Sequence, residues 1–459
     1  MNSIDILKHI KYKKVYNELN LEISKIVIDT RKVQDKSCYI GIKGENLDGN
    51  KLYMDAFNKG ANIVILDNYQ ISDNDMNYLL ANNKMIIVVD DSIIFLGEIA
   101  KYKRSLFKNP VVAITGSAGK TSTKDMVYSV LKEKMNAHKT IGNQNNHIGL
   151  PLTILDLKPE NEVLVLEMGM NHLKEISYLT NIAKPNVAII TNVGTAHIGN
   201  LGSRENILKA KLEILEGLDK NGTIIINNDN DLLHEWYLKN KNLYNILTVG
   251  IKNDSDFVAK NIVLEDNKGM FTCNNLSYEV PVGGEHFIYN ALVAIATATI
   301  FDVKYDLVKK GIKDFELSSN RMSIIKKEKN ITIIDDSYNA NFDSMNYAVK
   351  YLGSLSGRNI AVLGTMKELG KYSKDLHKKI GLTVQNEDID ILITVGSDAN
   401  YINESAIENG FNKENSYHLN NNQEVVKLLN NIVNENDNIL IKASNSLKFK
   451  EIVDAIKWW

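Results

Sequence analysis

Short apolar runs rich in β-branched residues recur along the 459-residue chain, separated by stretches whose apolar positions repeat every three to four residues. The runs fall at Ile26–Ile28, Ile63–Ile65, Ile86–Val89, Val111–Thr115, Val163–Leu166, Val187–Thr191 and Thr223–Ile226. Four more follow at Ile331–Ile334, Ile360–Leu363, Ile391–Val395 and Ile439–Ile441. Unbroken apolarity, rather than alternation, is what a parallel strand buried on both faces requires. The amphipathic stretches between supply the crossovers that parallel strands need. The pattern predicts an α/β fold.

Two breaks divide the chain. Pro110, after Asn109, precedes the strongest run and suits a boundary. The polar stretch Leu317-Ser318-Ser319 follows a helical segment predicted over 290–315. The resulting units are 1–108, 109–318 and 319–459, in keeping with a prior of roughly 150 residues per domain. Within the second, residues 254–283 carry shorter strand signals and the turn residues Asn267-Lys268-Gly269 and Asn274-Asn275, which predict a small β excursion.

Composition narrows the function classes. Hydrophobic content of 44% and charged content of 24% are those of an ordinary folded protein. Domains of this size bury enough surface to fold without disulfides or a structural metal. The two cysteines, Cys38 and Cys273, lack any C-x-x-C spacing, which excludes a zinc ribbon or disulfide scaffold and fits a reducing cytoplasm. Lys+Arg 54 against Asp+Glu 56 leaves a net charge of −2 with no basic block, so neither a nucleic-acid partner nor a polybasic anchor is expected. Residues 1–14 have no signal-peptide apolar region, and no apolar run reaches the ~18 residues of a membrane span. A cytoplasmic enzyme without integral membrane association is expected.

The sharpest chemical signal is Gly116-Ser117-Ala118-Gly119-Lys120-Thr121-Ser122, between the run Val111–Thr115 and a helix predicted over 124–132. Glycines let successive backbone N–H groups turn toward one phosphate, and the helix N-terminus adds its positive dipole end. Lys120 brings a full charge to the β- and γ-phosphates, and the Thr121 hydroxyl is placed to ligate Mg²⁺. The glycine spacing is shorter than in the Walker A pattern. Glu167 ends the next run, where a metal over the phosphates would be met, although a solvated strand-end glutamate would look the same. His197, in Thr191-Asn192-Val193-Gly194-Thr195-Ala196-His197, could ligate a metal or act as a base, yet a lone histidine is commonly structural. Lys209 and Lys211 on the following helix read as a solvated face. Arg321 and the segment 335–341 (Asp-Asp-Ser-Tyr-Asn-Ala-Asn) could supply an arginine for phosphate and an acid for ribose or metal. The same residues read equally well as a helix N-cap cluster.

Taken together, these segments resemble the Mur ligase family of peptidoglycan synthesis over essentially the whole chain. The matching stretches are 116–125, 143–151, 167–170, 191–199, 203–214, 320–322, 335–345 and 364–370, with Asp29-Thr30-Arg31, 41–44 and Asp48-Gly49 near the N-terminus. Within the family, Glu167-Met168-Gly169-Met170 and the 335–341 segment resemble the member that completes the peptide. The Asp-Asn-Pro-Arg motif of the member that adds the third residue is missing. The resemblance implies an N-terminal UDP-substrate domain, a central P-loop ATPase domain and a Rossmann-like C-terminal domain. It implies a reaction joining D-alanyl-D-alanine to the carboxylate of a UDP-N-acetylmuramoyl-tripeptide through an acyl phosphate, with ATP converted to ADP and phosphate. A folylpolyglutamate synthase-like ligase and an inactive Mur-like binding protein are the alternatives.

The resemblance also implies roles. Gly116 to Ser122, Asn290, Arg321 and Asp336 would bind ATP, with Asn290 at the adenine and Arg321 at the γ-phosphate. Thr121, Glu167, His197 and Lys211 would hold two Mg²⁺ ions, Lys211 as a carbamate formed with CO₂. Lys120, Glu167, His197 and Lys211 would carry the catalysis. Thr30, Arg31, Lys43, Gly44, Asp48, Asn143, Asn146 and Asn339 would meet the other substrates. A monomer is implied. Several positions depart from the family pattern: Asn50 for a usual histidine, Phe342 for proline, and, in Lys442-Ala443-Ser444-Asn445 for a usual Lys-Gly-Ser-Arg, Ala443 for glycine and Asn445 for arginine. None lies in the phosphate loop or metal set, so activity is expected.

Overall fold

Val111–Thr115, Val163–Glu167 and Val187–Ile190 are buried at every position, as unbroken β-branched and aliphatic runs should be in the middle of a two-faced sheet. They are the centre of the largest sheet in a computed structural model that describes residues 1–265 and 268–458. Its seven strands, all parallel, run in the order Phe257–Val258, Asn245–Gly250, Thr223–Asn227, Val187–Ile190, Val111–Thr115, Val163–Glu167, Ala137–Lys139. This order sets Val111–Thr115 between the other two buried strands. Ile114 pairs with Glu167 and Thr115 with Ile190, so three strand ends converge: the phosphate loop, Glu167 and the segment from Thr191 onward. Loops at the carboxyl ends of such strands are where parallel sheets build sites.

Two smaller parallel-type sheets flank it. The N-terminal one has the order Lys14–Tyr16, Met85–Val89, Ala61–Asp67, Ser37–Ile40, Lys25–Val27, with only the Lys14–Tyr16 pairing antiparallel. The C-terminal one has the order Ser323–Lys326, Thr332–Asp335, Asp437–Lys442, Arg358–Gly364, Ile391–Val395, Ser416–Leu419, again with one antiparallel edge. The β excursion is a three-stranded antiparallel sheet of Lys260–Glu265, Lys268–Cys273 and Leu276–Val280. Asn267 of the expected turn lies outside the described residues.

Several boundaries differ from the sequence reading. The helix after the phosphate loop starts at Lys120, not 124, because Gly119 takes the left-handed conformation (φ 78°) and serves as its N-cap. Lys120 and Thr121 therefore stand in its first turn. The segment 290–315 is two helices, Glu285–Ile300 and Tyr305–Lys313, broken where Asp302 turns left-handed (φ 49°).

The cores are unequally shared. The N-terminal unit has two apolar clusters of its own. It meets the central unit through helix Ser92–Leu106 on helices Gly149–Leu155 and Glu175–Ala183, and Arg104 donates to the Ala183 and Lys184 carbonyls at 2.6 and 2.9 Å. The central core runs on through Phe315 and Met322 to Ile334, Met345 and Leu363 of the C-terminal unit.

Candidate active site

Where the three strand ends converge lies a cleft of about 640 Å³, walled on one side by the central sheet and on the other by the C-terminal unit. Ser117, Ala118, Gly119, Lys120, Thr121 and Ser122 form its floor; Asn143, Asn146, Glu167, His197 and Asn290 line the central side, and Arg321, Asp336 and Asn339 the other. Gly116 (φ 157°) sits beneath the floor, where a Cβ would fall on Thr191 Oγ1. Lys120 Nζ donates to the Gly116 carbonyl at 2.8 Å. Burial, with the Arg321 charge nearby, pulls the Lys120 amine below the usual lysine range, while Glu167 and Glu368 oppose the shift. Arg321 lies over the Tyr338 ring at 4.0 Å. Two cations from different domains thus face one pocket.

Glu167 is buried, with Oε1 accepting from Asn145 Nδ2 at 2.7 Å and its backbone N–H bound to Thr140 Oγ1 at 3.0 Å. Its other oxygen, Oε2, is buried with no hydrogen-bond partner. An orphaned buried carboxylate oxygen in the same cleft as the Thr121 hydroxyl is a fitting donor pair for a hard divalent cation such as Mg²⁺. Among the described residues no group of three His, Cys, Asp or Glu side chains forms a metal site by itself. His197, left-handed at φ 62°, brings Nδ1 to 2.5 Å from Glu368 Oε2, without the direction of a good hydrogen bond. The imidazole holds the Glu368 carboxyl below the usual range.

Lys211 corrects the solvated-face reading of its helix: it is 1% exposed, on Arg204–Leu212. It does not line the cleft. Burial first, then the charge of Lys120, drive its amine well below the ordinary lysine value, against the opposing charge of Asp343.

Asn290 accepts from Thr123 Oγ1 at 2.8 Å, and its Nδ2 is buried without a partner, leaving a donor for a ligand. Beside it His286 lies against Phe287 and Tyr347 (ring centroids 4.1 and 5.7 Å), and burial pushes its imidazole down to about 4, helped by Lys442. Asp336 is paired with Lys442, both nearly buried; the register that sets Asp335 opposite Ile441 places the two residues side by side. Burial raises the Asp336 carboxyl although Lys442 and Arg321 pull it down.

Thr30, Arg31, Lys43, Gly44 and Asp48 are not in the cleft but in the N-terminal unit. Lys43 and Asp48 bridge a tight turn closed by Gly44 N–H to the Leu47 carbonyl (2.9 Å). Arg31 is exposed and paired with Asp29 at 2.8 Å. Tyr39 links the two segments: its hydroxyl donates to the Gly49 carbonyl at 2.9 Å, and burial with Asp29, Asp55 and Asp48 pushes it up to about 12.

Asn50, Phe342 and Asn445 have local accounts. Asn50 is an internal tie, accepting from Asp67 N–H and donating to Asp48 (both 3.0 Å). Phe342 occupies the first helical position after the N-cap Asn341, where proline is also favoured, and packs its ring on the central core. Asn445 Nδ2 donates to the Tyr338 carbonyl at 3.0 Å, bracing the 335–341 segment. The N-cap and ligand readings of that segment both have their residues: Asn341 caps the helix Phe342–Gly353, whereas Asp336 points into the cleft with Lys442. Reasoning from sequence did not single out Asn145, Asn192, Asp343, Glu368, Lys442 or Tyr347. Asn145, Asn192, Asp343 and Glu368 fall inside matched stretches; the partners of Asn192, Asp343 and Glu368 are far away in the chain.

A phosphate loop between a buried parallel strand and a helix, with two cations and an unpartnered carboxylate around it, defines a P-loop nucleotide-binding protein. The comparisons refine this. Residues 22–104 match the profile described as Mur ligase family, catalytic domain; residues 114–298 match Mur ligase middle domain; residues 320–445 match Mur ligase, glutamate ligase domain. The chain belongs to the Mur ligase family. It is 34% identical over 432 residues to the UDP-N-acetylmuramoyl-tripeptide–D-alanyl-D-alanine ligase of Bacillus subtilis (strain 168), covering 93% of this chain and 92% of that one. In structure it is similar to MurF from Acinetobacter baumannii (TM-score 0.85, 28% identity, 95% of this chain and 94% of that chain). It is similar also to MurF ligase from Thermotoga maritima in complex with ADP (TM-score 0.82, 26% identity, 95% and 97%).

Proposed function

We propose that this protein joins D-alanyl-D-alanine to the C-terminal carboxylate of a UDP-N-acetylmuramoyl-tripeptide, with ATP converted to ADP and phosphate. The observation that carries this is the convergence of Lys120 and Arg321 from two domains on one buried cleft over a phosphate loop. Two like charges so placed favour an anion between them, and a nucleoside triphosphate is such an anion. The carbonyl of a carboxylate is a poor electrophile because an attacking amine would have to expel oxide. Attack of a carboxylate oxygen on the γ-phosphorus, with ADP leaving, converts it to an acyl phosphate. The dipeptide amine then attacks the carbonyl carbon, loses a proton, and phosphate leaves as the amide forms.

In this reading the chain's work is positioning and charge neutralisation. Lys120 and Arg321 meet the β- and γ-phosphates; Asn290 offers its free Nδ2 to the base, and Asp336 reaches the nucleotide from the C-terminal domain. Thr121, Glu167 and His197 would hold Mg²⁺, which when bound screens the crowded phosphate charge. Lys211, buried behind the cleft lining within reach of the Lys120 charge, would complete the metal set as a carbamate. Its lowered pKa supports this, since only the neutral amine reacts with CO₂, releasing a proton to give an anionic group. Thr30, Arg31, Lys43, Gly44 and Asp48 would hold the uridine nucleotide, and Asn143, Asn146 and Asn339 the peptide ends. Residues 1–108, 109–318 and 319–459 would divide the labour as UDP-substrate, ATPase and closing domains. Two buried free cysteines fit a cytoplasmic setting, and among the described residues no helix is long and apolar enough to cross a membrane. A monomer would suffice, since one chain holds every proposed site.

The test supplies ATP, Mg²⁺, a UDP-muramoyl-tripeptide and D-alanyl-D-alanine, and follows phosphate release and product mass. Release that requires both acceptors, with one dipeptide added to the product, is expected. Release that ignores both would overturn the proposal.

A further inference from the structure

Asp343 stands in the first turn of the helix Phe342–Gly353, outside the ATP and metal sets above. Its Oδ2 accepts from the Thr195 backbone N–H at 2.7 Å and from Thr195 Oγ1 at 3.0 Å. The carboxylate rests in a notch left by Gly194, where a Cβ would fall on the carboxyl group. Gly194 is not among the glycines with positive φ, so the backbone makes no demand for glycine there; the space does. The charge of Asp343 also reaches Arg204 and Lys211.

Thr195 belongs to a segment that does two further things. Upstream, Asn192 Oδ1 accepts from the Ser117 and Ala118 N–H groups (3.1 and 2.9 Å), and its Nδ2 donates to the Ala118 carbonyl at 3.0 Å. Gly194 N–H donates to Ser117 Oγ at 2.9 Å. Downstream, the segment ends in His197. Asn341, the N-cap of the Asp343 helix, donates to the Ser117 carbonyl at 3.1 Å. One carboxylate of the C-terminal unit therefore grips the strip of backbone that braces the phosphate loop at one end and carries His197 at the other.

We propose that Asp343 is a positioning residue: its docking on Gly194 and Thr195 couples closure of the C-terminal domain to the working shape of the phosphate loop. It acts through Thr195 and Asn192, not on the reacting atoms. The proposal rests on the ligase reading for its kinetic readout but not for its structural one. The test is a cycle of Asp343→Ala, Gly194→Ala and the double variant, read by steady-state kinetics, by melting temperature, and by small-angle X-ray scattering with Mg²⁺ and a non-hydrolysable ATP analogue. Asp343→Ala should lower kcat at least roughly tenfold, since both charge-assisted hydrogen bonds to Thr195 are lost. The KM for the UDP substrate should hold within about twofold, since no docking contact touches that end. Asp343→Asn, which keeps an acceptor oxygen, should recover most of the rate. Gly194→Ala should fall at least as far, and adding Asp343→Ala to it should cost nothing more, because the clash and the contact are one interaction. Both single variants should compact less on binding the analogue. Additive losses in the double variant, or native kcat and native compaction in Asp343→Ala, would overturn the proposal. An inactive native enzyme would overturn the ligase reading instead, and the scattering arm would still decide this one.

Discussion

Residues 117–122 reach the cleft from one turn and the first turn of the helix that follows it. The opposite rim is assembled from Arg321, Asp336, Tyr338 to Asn341, Glu368 and Lys442, brought together from four separate places in the chain. On the floor, local backbone geometry does most of the work: Gly116 and Gly119 take conformations other residues avoid, and Lys120 is tied back to the Gly116 carbonyl. On the rim, little is local. Asp336 is held by Lys442 across two neighbouring strands, and Glu368, with Asp343 behind the rim, acts on a different domain. A floor made of one turn is preorganised by its own backbone, whereas a rim on a second domain depends on how that domain is held against the first. Damage to the floor should therefore appear as lost chemistry, and damage to the rim as lost coupling or lost stability.

Lys120→Ala gives the largest expected effect. Removing the full charge at the phosphates should cut kcat by roughly 10²–10³-fold, with the melting temperature little changed. A variant that unfolds instead would show the floor to be structural rather than catalytic. Next comes Lys211→Ala, which should lose about 100-fold if its carbamate completes the metal set. Added acetate or another short carboxylate should restore part of that loss; absence of rescue would count against the carbamate.

The rim gives the third expectation. Lys442→Met leaves the buried Asp336 carboxylate unpaired and should cost about 3 kcal/mol in denaturant unfolding, near the low end for a broken buried pair because Asp336 can take up a proton. An unchanged midpoint would mean that the pair contributes nothing to the C-terminal unit. The smallest effect is a pH dependence at His286, whose imidazole is pushed down to about 4 in the folded chain from an ordinary 6.5. The unfolded chain binds the extra proton first, so this contribution to stability is full above pH 6.5 and is lost as pH falls toward 4. In His286→Gln, melting temperature should fall less steeply across that window; a parallel fall would remove the assignment.

The same contrast explains what could be read in advance. The buried central strands and the phosphate loop were legible because each is contiguous and its chemistry depends on its own neighbours. Edge strands such as Ala137–Lys139 and Ser416–Leu419 were missed, since half-buried edges mix polar and apolar residues and lose the unbroken pattern. Lys211 looked like a solvated lysine because helical spacing does not reveal what packs against a face; only the resemblance marked it. Asp343 lies inside a matched stretch, but nothing near it in the chain points to its partner Thr195, 148 residues away.

The acyl phosphate is the step that every proposed role serves, and isotope transfer tests it most directly. A UDP-muramoyl-tripeptide labelled with ¹⁸O in its terminal carboxylate is turned over with ATP, Mg²⁺ and D-alanyl-D-alanine, and the released phosphate is weighed by mass spectrometry. One ¹⁸O atom should pass from each carboxylate to phosphate, because the oxygen that attacked the γ-phosphorus leaves with it. Phosphate that carries no label while the amide forms would contradict the mechanism.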